Sequence, residues 1–320
     1  AYNDTRFFGG FLMRWFALVA VFAVLGLLVG QDKTQPAPDN QTFTLQLKGK
    51  EGDEHFFHTK MVVNGTSMVG PTKVEQEFIW RIKVDKVAEN GNIHSKWKAL
   101  LIKTKQNVPM LGEGYFDSEK GEAKGIPQGQ VDTLNKLLEK ETKVEMSKTG
   151  KVVSGGIQGI PSLEFLPKKP VKVGESWMVE QSAGKQQQMK MVFKYTLKEV
   201  KVIDGSKVAV IESELLKVKL NAPIPMKIDA KGKGTTLFNI DKGMVMKNDM
   251  TMNLTIAMTN PQTGEGMKFS QNIKASGEML KEKPKCNPKK VKLITGNGGA
   301  KVPVPMPPPQ PKKEPKPGQF

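Results

Sequence analysis

The chain has 320 residues, 38% of them hydrophobic, and 49 Lys and Arg against 32 Asp and Glu give it a formal net charge of +17. That length can bury a substantial core, and aromatics at 7% with charged residues at 25% exclude a wholly disordered chain. A single cysteine excludes an internal disulfide framework, and no Cys/His cluster has the spacing of a structural zinc site.

Residues 1–30 read as an export segment. Trp15 to Gly30 is an uncharged, almost wholly apolar run, preceded by Arg14 and followed by Asp32 and Lys33. It is shorter than the roughly 20 residues that span a bilayer and close to the apolar region of a signal peptide, about 7–15 residues. Leu28-Val29-Gly30 lacks a small residue at the third position back, so both a cleaved signal peptide and an uncleaved signal anchor are expectations. Without a Cys at the end of the run, a lipoprotein anchor is not expected. Either reading exports the body to the periplasm or beyond, behind a Pro-containing linker at 31–40.

From residue 41 the hydrophobic period becomes two. Phe43, Leu45 and Leu47 alternate with polar neighbours, as do Phe57, Met61 and Val63. Val74, Phe78, Trp80, Ile82 and Val84 share one face, opposite Glu75, Glu77, Arg81, Lys83 and Asp85. The same pattern runs through residues 189–197, 226–240, 244–258 and 267–279. Strict alternation of this length marks half-buried antiparallel strands. Asn64-Gly65, Asn90-Gly91, Asp204-Gly205 and Asp241-Lys242-Gly243 fall where hairpin turns are needed.

Only the middle reads helical. Pro127 can open a helix with Val131, Leu134, Leu137 and Leu138 on one stripe, and a second apolar piece runs from Ile157 to Leu166. The expected fold is mainly β (α+β): a strongly curved antiparallel sheet or half barrel over residues 41–280, with one or two helices on its concave face. Residues 281–320 carry ten of the 21 Pro together with ten Lys, and the expectation there is a disordered cationic tail with an exposed Cys286 thiol.

Motifs that could carry chemistry dissolve on inspection. Ser95-x-x-Lys98 and Lys148-Thr149-Gly150 have the form of serine acyl-enzyme motifs, but Ser95 sits in an alternating stretch rather than at a helix start, and no Ser-Asp-Asn element lies between them. His55 and His58, three apart in a strand, point to opposite faces and cannot share a metal. Gly296-Asn297-Gly298-Gly299 lacks the Gly-Lys-Ser/Thr ending of a phosphate loop. No catalytic residue, metal or cofactor is expected, and no enzyme.

The methionines are the unusual feature. Met189, Met191, Phe193 and Tyr195 form one alternating apolar set, and Phe238, Met244, Met246, Met250 and Met252 another. Methionine adapts to varied apolar partners, so these nine residues are the candidate lining of a groove for lipid or another apolar ligand. Core filling and soft-sulfur copper ligation are the competing readings.

Arg6, Arg14 and Arg81 are the only arginines, which argues against nucleic acid as a partner, because base and phosphate readers favour guanidinium. A diffuse lysine surface suits contact with an anionic membrane or cell-wall polymer, or plain solubility. The expected function is a non-enzymatic binding protein for an apolar or amphipathic ligand such as lipid. The alternative is an envelope-associated structural protein with a filled core and a basic tail on anionic polymer.

Tyr115-Phe116-Asp117-Ser118, the helix near Leu134, Lys148 to Val152, and the stretch Leu166-Pro167 to Gly174-Glu175-Ser176-Trp177 occur in an order that resembles an uncharacterised family of exported bacterial β-rich proteins, found in planctomycetes and Bacteroidetes. The resemblance covers roughly residues 40–280 and implies no activity. Architecture alone also resembles the periplasmic lipoprotein carriers, in which an incomplete barrel shelters acyl chains. Locally, Gly174 allows a tight turn and Trp177 anchors the strand that follows.

Overall fold

A computed structural model describes residues 41–67, 70–109, 112–155, 164–183, 189–220, 226–259 and 266–294. The expected export segment at 1–30, the linker at 31–40 and everything beyond 294 lie outside these residues. The alternating runs become strands: β1 (Thr42–Phe43), β2 (Glu54–Ser67), β3 (Gly70–Val87), β4 (Ile93–Val108), β5 (Gly112–Asp117) and β6 (Glu122–Lys124). Helix α1 (Gln128–Glu139) follows, then β7 (Thr142–Met146), β8 (Val152–Gly155), β9 (Val171–Lys172) and β10 (Ser176–Ala183). The long strands β11 (Met189–Ile203), β12 (Ser206–Leu220), β13 (Met226–Asn239), β14 (Met244–Thr259) and β15 (Gly266–Met279) lead to a short β16 (Lys292–Leu293).

All but β1 and β9 join one curved sheet whose order is β10-β11-β12-β13-β14-β15-β2-β3-β4-β5-β6-β16, with β7 and β8 on a branch from β4. The path has two ends and does not close into a barrel. Neighbours are antiparallel except β16, which runs parallel to β6. The pleat puts one set of side chains on the concave face throughout, as the alternation requires.

Two apolar clusters fill that face. The first joins β11–β15 and β2 through Met61, Val63, Met191, Phe193, Leu197, Ile211, Phe238 and Ile273, and is plugged by Phe43, Leu45, Phe165, Leu166 and Val171. The second packs Val131, Leu134 and Leu138 of α1 on Trp80, Trp97, Ile102 and Phe116. Full burial of side chains this size stabilises by about 1.5–3 kcal/mol each. Pro127 precedes the first turn of α1 as expected. Phe165 and Leu166 are buried but not helical, and residues 156–163 of the second expected helix lie outside the described residues.

The resembling stretch pins this interior plug to the sheet. Gly174 turns with φ +85°, its N–H donates to Leu197 O, and Leu197 N–H donates to Glu175 O. Trp177 Nε1–H donates to Phe165 O at 2.8 Å and its ring stacks on Tyr195. Lys172 N–H donates to the Glu175 carboxylate at 2.9 Å. The motif is structural in every contact it makes.

One of the expected turns needs correction. Asn64-Gly65 is not a turn, because β2 runs straight through it to Ser67. Gly65 instead permits close packing on the concave face, where a Cβ would sit 2.8 Å from Thr72 Oγ1. Asp204-Gly205 does turn, with both φ angles positive as a two-residue hairpin of the primed type requires.

The body also extends beyond residue 280. Leu280 N–H donates to Phe56 O, and the chain then passes outside the sheet as a strap, with Cys286 in the field of Glu119, Lys103 and Glu77. Lys289 N–H bonds Ser118 O, Val291 is buried against α1, and Lys292 and Ile294 bond Gly121 O and Ala123 O. The tail boundary expected at 281 therefore moves to 294 or beyond, because Val291 and β16 supply an apolar anchor and a strand edge that the Lys/Pro composition concealed. Cys286 is half-buried rather than exposed.

Candidate functional site

The nine candidate groove residues do not stay together. Met189, Met191, Phe193, Tyr195, Phe238 and Met252 are buried in the first core cluster, and half-buried Met250 packs against it. They touch the plug and each other: Phe165 lies 6.3 Å, ring to ring, from both Tyr195 and Phe238. Tyr195 Oη accepts a hydrogen bond from Gln181 Nε2 at 3.2 Å, and burial pushes its phenol far above the usual range. This half of the concave face is filled.

Met244 and Met246 leave the set. The β13–β14 register pairs Phe238 with Val245 but Leu237 with Lys247, so Met246 is the extra residue of a bulge. The bulge shifts the pleat by one. Val245, not Met244 or Met246, therefore faces the cluster. Strict counting of even positions cannot see an inserted residue.

A different trio of methionines meets at the far end of the sheet. Met226, Met258 and Met267 are direct cross-strand neighbours on β13, β14 and β15. They border a depression of about 540 Å³, together with Lys227, Ala257, Thr259, Gly266 and Lys268. In the neighbouring row, Lys227, Ala257 and Lys268 pair across the same strands on the opposite face. The depression thus wraps the strand ends, with methionine on the concave side and lysine on the convex side. Deeper on the methionine face stand Ile228, Ile256 and Phe269, then Leu254 and Gln271. Gln271 Oε1 is buried and has no hydrogen-bond partner among the described residues.

All three methionines are visible in the alternating pattern, each as the last apolar position beside a Pro- or Gly-containing connection. That position is the only signal that could have singled them out.

The remaining polar groups look structural. Ser95 is buried, donating its hydroxyl to Val144 O and accepting Trp97 Nε1–H. His58 pairs with Glu77 at 2.8 Å on the convex face. Among the described residues no group of three His, Cys, Asp or Glu side chains could hold a metal ion, and no helix is long and apolar enough to cross a membrane.

Comparison with known proteins adds a family without a function. Residues 161–265 match DUF6263, a family of unknown function. The match includes the Leu166–Trp177 stretch, in keeping with the resemblance read from the sequence. No curated protein matches the chain. Among solved structures it is similar to lipovitellin, in a study of lipid–protein interactions, at a TM-score of 0.47 and 6% identity, over 78% of this chain and 27% of that one. The chain therefore spans about a quarter of lipovitellin. DynF of the dynemicin biosynthesis pathway from Micromonospora chersina gives a TM-score of 0.22 at 8% identity, over 80% of this chain and 93% of that one. A lipoprotein-sorting protein domain of the outer membrane from Vibrio parahaemolyticus gives 0.15 at 9% identity, over 72% and 87%. At these scores the likenesses carry no functional weight.

Proposed function

We propose that this protein is an exported, non-enzymatic binding protein for an apolar or amphipathic ligand such as a lipid. The observation that carries the reading is the depression of about 540 Å³ bordered by Met226, Met258 and Met267. Its volume is in the range of small-molecule sites, roughly 300–1,000 Å³, and its wall pairs apolar thioethers with a few polar groups. The apolar run Trp15–Gly30 supports export. Relative to the nine residues first singled out, the ligand site moves off the packed interior to the ends of β13, β14 and β15, on the side of the sheet where Met189 lies and away from Met244 and Met246.

Native mass spectrometry after detergent-free purification, paired with titration of a fluorescent neutral monoacylglycerol, tests this. The expected result is a co-purified lipid or saturable probe binding, weakened at least tenfold by Met258→Trp, which fills the depression, and unchanged by Met191→Leu in the core. A ligand-free protein that does not bind the probe overturns it. The filled half of the concave face favours a second reading, an envelope-associated structural protein, and that negative outcome is the one it expects.

A further inference from the structure

The end of the sheet that holds the methionine depression is also a collar of lysines. Lys190 and Lys219 are cross-strand neighbours on β11 and β12, and Lys227 and Lys268 flank Ala257 on β13–β15. Lys217 stands two residues from Lys219 on the same face, and all five are exposed. Like charges placed directly opposite one another repel, and Lys190 facing Lys219 concentrates positive charge here, with Glu180 in the field of both. Lys190 is partly compensated by Glu180 at 2.8 Å. Among the described residues, none of Lys217, Lys219, Lys227 and Lys268 is within ion-pair distance of a carboxylate. Elsewhere on the convex face some lysines pair, as Lys96 does with Asp85 and Lys198 with Glu212. Others among the described residues, such as Lys194, Lys231 and Lys274, do not. What distinguishes this end is the grouping of five lysines beside the depression.

The sheet is also frayed at this end. The β12–β13 ladder runs from Val208–Asn239 to Leu215–Gly232 and is not continued to Leu220 and Met226, although both strands reach those residues. Residues 216–220 and 226–231 are therefore not paired with each other, although 217–220 pair with β11 and 226–231 with β14. This seam opens beside the methionines and between Lys217 and Lys219 on one bank and Lys227 on the other.

We propose that this end of the sheet docks on an anionic lipid bilayer, with the lysine collar on the headgroups and the methionine depression turned to the acyl boundary. The proposal takes its purpose from the ligand reading above, since docking would set the depression where an amphiphile can leave the bilayer. The charge complementarity is local, and lysine suits it because a diffuse field of phosphates needs no bidentate geometry.

The test is co-sedimentation of the full chain with phosphatidylcholine vesicles, with and without 40% phosphatidylglycerol. The readout is the ratio between the two, so any apolar N-terminal run that partitions equally into both cancels. Each lysine near an anionic surface contributes about fivefold to partitioning. The variant Lys217→Gln/Lys219→Gln, which leaves the lining of the depression intact, should lose about 25-fold of that ratio while its melting temperature and monoacylglycerol binding stay unchanged. A second variant, Lys301→Gln/Lys312→Gln/Lys313→Gln/Lys316→Gln, should keep most of it. If the first variant sediments like the wild type, or only the second loses binding, the docking assignment is overturned. Wild-type protein that docks but does not bind the probe sinks the ligand reading and leaves docking intact.

Discussion

The side-chain amide of Asn135 on α1 is bonded twice to the backbone of Val291: Nδ2–H donates to Val291 O, and Val291 N–H donates to Oδ1, each at 2.9 Å. Both residues are buried. A helix and a chain segment 156 residues away thus clasp each other as two strands would, through one donor and one acceptor.

Asn135→Ala leaves a buried N–H and a buried C=O without partners. A loss of about 2–4 kcal/mol in urea unfolding is expected, with faster amide exchange at Val291 and Lys292. Exchange at Val291 unchanged in the variant would show that the clasp is decorative.

Cys286 reports on the same strap. Burial first, then the carboxylates of Glu119 and Glu77, push its thiol above the ordinary value, with Lys103 opposing. Only the thiolate is nucleophilic. The full chain at pH 8 should therefore react with a disulfide reagent at least about tenfold more slowly than in urea, and Asn135→Ala should speed the reaction under native conditions.

Asp249 sits on the convex face of β14, between Thr235 and Ser276 of the flanking strands. Burial, reinforced by Glu278 and opposed by Lys247, raises its carboxyl from 3.8 to about 6. A raised carboxyl binds its proton more tightly when folded. Its stabilising contribution is therefore full below pH 3.8 and is lost as pH rises through about 6. Asp249→Asn should gain melting temperature relative to wild type between pH 4 and pH 7.5, with the gain levelling off above about 7. A constant difference across that window would contradict the raised value.

Gln271 carries a buried acceptor with no partner among the described residues. Gln271→Met removes that cost while keeping the length of the side chain, so stability should be unchanged or rise by about 1 kcal/mol. If Oε1 receives a donor from a bound amphiphile, the same variant should lose probe affinity while gaining stability. A loss of stability in ligand-free protein would mean the amide is satisfied after all.

The fold was legible because the alternation of Phe78, Trp80, Ile82 and Val84 against Glu77, Arg81, Lys83 and Asp85 is a property of each strand alone. Asp204-Gly205 and Pro127 were equally local. What escaped depended on partners. The bulge at Met246 exists only in the register with Phe238, and Gly65 reads as a turn until Thr72 is placed beside it. The strap of residues 281–294 looks like a solvated tail because its anchor is one valine and another residue's amide. The depression was missed for a similar reason, since Met226, Met258 and Met267 are far apart in sequence and become a wall only where three strand ends align.

The strand order carries a consequence for how the chain reaches this state. Most ladders join strands adjacent in sequence, and each such hairpin needs only a short loop to close. The β4–β7, β1–β9 and β6–β16 ladders are longer-range, and the β15–β2 ladder spans the most chain, zipping Ser270–Met279 onto Phe57–Thr66 across most of the body. Its loop-closure entropy is the largest in the sheet, and non-local pairings of this kind slow folding. Two half-sheets, β2–β6 and β10–β15, can each assemble by local zippering and then meet along one edge. Until they do, both carry an open, apolar-faced strand edge of the sort that pairs with neighbouring molecules. The ten register pairs of that seam therefore act as the step at which a nascent chain either completes itself or aggregates.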